Sequence, residues 1–82
     1  DNGLGPLHLA ARRGHVETIR ALQCLGAQVS SRNDRGATPM HIAAQVGQFE
    51  AIRLLNDLGA DVSTTDSNGA TPMHYAAQHG HV

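Results

Sequence analysis

The sequence predicts an all-α solenoid of stacked helix-turn-helix units, and three observations predict it. The first is a 33-residue period. Gly3, Gly36 and Gly69 keep that interval, as do Pro6, Pro39 and Pro72, and His8, His41 and His74. The pairs Ala10-Ala11, Ala43-Ala44 and Ala76-Ala77 stay in register, and so do Gly14, Gly47 and Gly80. Residues 1–33 agree with 34–66 at 16 of 33 positions, and 34–49 agree with 67–82 at 10 of 16, without a gap. A period of this size marks units that stack side by side rather than a chain gathered around one centre. The second observation is punctuation: each unit opens on an N-cap residue and a proline, and its first helix stops at a glycine. The third is apolar spacing at helical intervals in the second half of each unit.

Taken in order, each first helix starts at its cap. Thr38 and Thr71 stand at N-cap positions, with Pro39 and Pro72 at the first helical position. The helix predicted over "PMHIAAQV" ends at Gly47, which can adopt the left-handed conformation that closes helices. The first unit has Gly5 at the cap, a replacement that costs only about a few tenths of a kcal/mol. The second helix is predicted from roughly Phe49 to Leu58, stopped by Gly59. Its Ile52, Leu55 and Leu58 recur on one side, as Ile19, Leu22 and Leu25 do one unit earlier. Glu17 and Arg20, and Glu50 and Arg53, have the spacing of exposed i,i+3 pairs. The connection "GADVSTTDSNG" follows; in it Val62 is apolar and Asp66-Ser67-Asn68-Gly69 reads as a tight turn. The matching connection in the first unit is "GAQVSSRNDRG".

The stretch "GATPMHIAAQVGQFEAIRLLNDLGADVSTTD" resembles an ankyrin repeat, a family with this period and a T-P-L-H-x-A core. The resemblance covers the whole chain, as units 1–33 and 34–66 and the partial unit 67–82. It departs locally. Gly5 replaces the family's threonine, Asn33 stands where Asp66 shows the usual aspartate, and Met40 and Met73 replace leucine. The resemblance implies helix pairs joined by β-turn or hairpin loops, with a partner-contacting groove lined by turn tips and the ends of the first helices.

Composition narrows the function classes. The 82 residues allow one small domain. Six arginines, no lysine and seven acids give a net charge of −1, which exerts no general pull toward nucleic acid or anionic membrane. Phe49 and Tyr75 are the only aromatics, too few for base-stacking platforms. No apolar run approaches the roughly 20 residues of a membrane span. Cys24 has no internal partner, which favours a reducing intracellular compartment, cytoplasm or nucleus. No P-loop, dinucleotide fingerprint or ligand cluster suggests a cofactor or a small-molecule substrate.

The repeated Thr–His pair invites a catalytic reading, with threonine as nucleophile and histidine as base. Such a pair also needs an oriented base, an oxyanion site and a cleft. The first unit keeps His8 but has no hydroxyl at Gly5. A cap survives that change and a nucleophile does not. The structural reading is therefore preferred: threonine caps the helix and histidine reaches back to it, as glutamate does in a capping box. A metal reading of His8, His41 and His74 fails on distance. Stacked helices lie about 8–10 Å apart, whereas zinc–nitrogen bonds are about 2 Å. His79 and His81 read as a helix-end and a turn residue without ligand partners. Cys24 reads as an ordinary free thiol, since no basic group is evidently placed beside it.

Comparing units separates scaffold from candidate readout. The non-repeating turn-tip positions are Asn2 and Leu4, then Arg35 and Ala37, then Asn68 and Ala70. At the ends of the first helices they are Arg12-Arg13, Gln45-Val46 and Gln78-His79. Arg32 and Thr65 precede the turns, and Asp34 and Ser67 sit within them. These sixteen positions are the candidate partner-binding surface. Arg12, Arg13, Arg32 and Arg35 cluster toward one end. Two readings stay open for that strip: docking of an acidic partner segment, or a solvated face balanced by Asp34. The expected function is a protein-interaction module without catalysis. The alternative is a regulatory or targeting segment of a larger enzyme, channel or transcription regulator. The sequence stops where the second helix of the third unit should begin, which leaves Met73, Ala76 and Ala77 partly uncovered and leads us to expect a longer array.

Overall fold

In a computed structural model of the chain, residues 5–78 are described. Five helices follow one another: α1 (Pro6–Arg13), α2 (Val16–Cys24), α3 (Pro39–Val46), α4 (Phe49–Asp57) and α5 (Pro72–Gln78). The first helices of the units, α1, α3 and α5, stack on one another. The second helices, α2 and α4, stack behind them, and each packs on the first helix of its own unit. No strand occurs among the described residues.

The punctuation acts as expected. Thr38 accepts the His41 backbone N–H at 3.4 Å, and Pro39 begins α3. Gly47 ends it at φ +77°, a left-handed conformation that disfavours side chains. The Gln48 N–H donates to the Ala43 carbonyl at 2.9 Å, which closes the helix end.

The core is built from small residues where helices approach and larger ones between them. Ala10, Ala11, Ala43, Ala44 and Ala51 are buried, around Leu7, Ile19, Met40, Leu54 and Leu55. The apolar stripe of α4 is offset from the sequence reading. Ala51, Leu54 and Leu55 form its buried side, while Ile52 and Leu58 are only half-buried. Leu25 departs further, at 84% exposed. It is the C-cap residue, one position past α2, so its backbone closes the helix and its side chain leaves the face shared by Ile19 and Leu22. Val62 is exposed rather than packed. Met73 and Ala77 are exposed and Ala76 is buried.

Candidate functional site

The Thr–His pair is a structural connector between units. The Thr38 N–H donates to His41 Nδ1 at 3.1 Å, and the Thr38 hydroxyl lies 2.8 Å from the same nitrogen. On the far side of the ring, His41 Nε2 meets the Ala70 carbonyl at 2.8 Å. A carbonyl only accepts, so Nε2 carries the proton and Nδ1 is the acceptor. The ring is therefore neutral, and it bridges its own cap to the turn of the next unit. Burial pushes the His41 pKa down, outweighing the opposing pull of the Ala70 carbonyl and Asp66.

His8 repeats this bridge with a weaker anchor. Its Nε2 donates to the Ala37 carbonyl at 2.9 Å, while the Gly5 N–H reaches Nδ1 at 3.4 Å. His74 keeps the local half: the Thr71 N–H donates to Nδ1 at 3.0 Å, with the hydroxyl at 2.6 Å. Threonine and imidazole are both occupied by backbone.

The turn tips are closed by internal hydrogen bonds and linked to each other. Asp66 Oδ1 accepts the N–H groups of Asn68 and Ala70, both at 2.9 Å. The Gly69 N–H closes the turn on the Asp66 carbonyl at 3.0 Å. Asn33 makes the equivalent bonds to the N–H groups of Arg35 and Ala37, also at 2.9 Å. An amide oxygen thus replaces a carboxylate oxygen without loss of the turn. The Ser67 N–H then donates to the Arg35 carbonyl at 2.9 Å, tying one tip to the next. Gly36 sits at that contact with φ +77°, and a Cβ there would come within 3.0 Å of the Ser67 nitrogen.

Between the tips and the inner helices lies a concave pocket of about 230 Å³. Arg12 and Gln45, from the ends of α1 and α3, stand on one side of it, and Arg35 on a turn tip. Ala37, Ile42 and Tyr75 supply apolar surface, and Asn33 completes the lining. Tyr75 donates its hydroxyl to Asp66 Oδ2 and presents its ring edge-on to His41, with centroids 4.9 Å apart. Burial, reinforced by the Asp66 carboxylate, raises the Tyr75 pKa to about 12, so the phenol keeps its proton at neutral pH. The Tyr75 hydroxyl in turn lowers the Asp66 pKa.

The candidate surface residues divide by what they do. Arg12, Arg13, Asp34, Arg35, Gln45, Val46, Ser67, Asn68 and Gln78 are exposed. Ala37 is 2% exposed and reaches the groove only as floor, its carbonyl taken by His8. Ala70 is half-buried, with its carbonyl taken by His41. Arg32 donates from Nη1 to the Thr65 carbonyl at 3.0 Å, so these two also join one unit to the next. The strip of four arginines is thus not uniform: Arg12 and Arg35 meet at the pocket, and Arg32 is engaged elsewhere. Asn2, Leu4 and His79 lie outside the described residues.

Asn33, Ile42 and Tyr75 were missed as pocket residues. Tyr75 left a signal in the sequence. It interrupts two otherwise matching stretches, "GATPMHIAAQ" and "GATPMHYAAQ", at a position held by Leu9 and Ile42 in the earlier units. Among the described residues, no three His, Cys, Asp or Glu side chains are grouped to hold a metal ion, and no helix is long and apolar enough to cross a membrane.

Residues 7–82 match the family model described as ankyrin repeats (3 copies). A comparison with curated proteins found no match.

Proposed function

The chain belongs to the ankyrin-repeat family, and from that premise we propose that it holds a partner protein along its turn tips and inner helices, with no chemistry of its own. Ankyrin repeats are generally protein-interaction modules. The observation that carries the reading here is a division of labour within the repeat. The histidine and alanine side chains that recur on α1 and α3, His8, Ala10 and Ala11 and then His41, Ala43 and Ala44, are buried, and both histidines are bonded to the next unit. Side chains that differ between units, such as Arg12 and Arg35, stand exposed and line the concave pocket. A solenoid's concave surface is where such proteins take extended partners. The arginine end of the groove favours an acidic partner segment, because guanidinium forks match carboxylates bidentately.

The test compares faces. Partner capture is measured for Arg12→Glu and Arg35→Glu in the groove and for Arg20→Glu and Arg53→Glu on the outer helices. Loss confined to the groove variants supports the reading. Loss confined to the outer variants, or retained binding in all four, overturns it.

A further inference from the structure

We infer that the pocket shared by the three units is an anchor for one glutamate side chain of a partner segment: its carboxylate lies between Arg12 and Arg35, and its methylenes lie on Ile42 and the Tyr75 ring. This inference rests on the groove-binding reading above and narrows it to a single side chain.

Size comes first. At about 230 Å³ the pocket falls below the roughly 300–1,000 Å³ of sites that enclose drug-sized ligands and cofactors. It has room for a side chain. Charge comes second. Two arginines, one from α1 and one from the following turn tip, line the same concavity, and no acidic residue is among its lining residues. The carboxylate adjoining it, Asp66, is already occupied on both oxygens, by two backbone N–H groups and by the Tyr75 hydroxyl. It is also buried, and although it keeps its charge, its oxygens are not free to pair with the arginines.

Shape comes third. The floor is apolar, made by buried Ala37 and Ile42 and the half-buried Tyr75 ring. A carboxylate on a two-carbon stem can reach the guanidiniums while its methylenes cover that floor. An aspartate, one carbon shorter, has less stem to lay on that surface. Gln45 at the rim offers an amide N–H to an acidic group. Tyr75 sets this geometry. Its hydroxyl is pinned on Asp66, so the ring cannot swing away from the pocket.

The probe is a capped Ala-Ala-Glu-Ala-Ala peptide titrated into the isotopically labelled chain, with backbone and arginine Nε–H resonances followed by NMR. We expect weak, saturable binding that shifts Arg12, Arg35 and Gln45 and leaves Arg13 and Arg53 unmoved. The Gln and Asp versions of the peptide should each bind more weakly, the Gln version by at least about tenfold, since it lacks the charge-assisted bonds. Arg12→Gln and Arg35→Gln alter exposed side chains and should weaken the Glu peptide to the level of the Gln peptide. Tyr75→Ile restores the residue found one unit earlier and should abolish the preference for Glu over Asp. Equal binding of the Glu and Gln peptides overturns the anchor, as do shifts spread evenly over all arginines or a phosphoserine peptide that binds where the Glu peptide does not. Should the groove variants lose their protein partner while the Glu and Gln peptides bind alike, only the anchor falls and the groove reading stands.

Discussion

The junction between the first and second units and the junction between the second and third are built from one motif, yet they hold together differently. The first joins two helix pairs, α1 on α3 and α2 on α4. Its histidine bridge is anchored loosely, through the 3.4 Å contact from Gly5, and gains Gln48 Nε2 donating to the Arg12 carbonyl at 3.2 Å. Among the described residues the second junction joins one helix pair, α3 on α5. Its polar ties are the Thr38–His41–Ala70 bridge, the Ser67–Arg35 backbone bond, and Tyr75 set against both His41 and Asp66, where the first junction has the bond from Arg32 to the Thr65 carbonyl. The two seams thus share the histidine bridge and differ in its cap and in the side chains set around it.

The contrast is broken most sharply at the methionines. Met40 and Met73 occupy the same place in their units, but Met40 is 0% exposed and Met73 is 63% exposed. Met40→Ala should cost about 2–5 kcal/mol, because a buried side chain is lost and a cavity remains. Met73→Ala should cost less than about 0.5 kcal/mol, as exposed substitutions usually do. Paired urea denaturation curves check this, and equal midpoint shifts would contradict the stacking described above.

The histidines come next. His41→Ala leaves the buried Thr38 N–H and the half-buried Ala70 carbonyl without their partner, a loss of about 2–4 kcal/mol. His8→Ala should cost about 1 kcal/mol less, since its cap bond is already long. The same denaturation curves rank the two.

Acid should act through the same ring. The folded His41 pKa is depressed, so the unfolded chain takes up that proton first. Its contribution to stability is complete above the ordinary histidine value of about 6.5 and is lost as pH falls from there toward the folded-state value. The thermal midpoint should therefore drop between neutral and mildly acidic pH, and His41→Gln should flatten that slope.

The caps give the smallest effects. Thr38→Ala should cost about 1 kcal/mol. Gly5→Thr should gain about a few tenths of a kcal/mol and shorten the His8 anchor. Gly5 has extended backbone, at φ −87° and ψ 177°, and a Cβ there meets only His8 Nδ1 at 3.7 Å. A destabilised Gly5→Thr variant would show that the two caps are not equivalent.

How far the sequence could be read follows from what repeats. Caps, proline starts and glycine stops were legible because each depends on local backbone chemistry. The histidine's reach back to its own helix start was legible because the Thr–His pair recurs. The side-chain direction of Leu25 was not, because its fate turns on where α2 ends within a single residue. Nor was the role of Arg32, whose partner, the Thr65 carbonyl, lies 33 residues away and belongs to the backbone. The pocket was only half visible. Its arginines stood out as unmatched charges, whereas Ile42 and Tyr75 occupy a position that reads as core.

The histidine bridge also bears on how a molecule of this kind can grow. His8 reaches the Ala37 carbonyl and His41 the Ala70 carbonyl, each 29 residues onward. Each contact is addressed to the next copy and to no fixed place in the chain. An in-frame duplication of residues 34–66 would therefore arrive with its attachments already specified at both ends, so a genetic accident could lengthen the protein without inventing a single new fit.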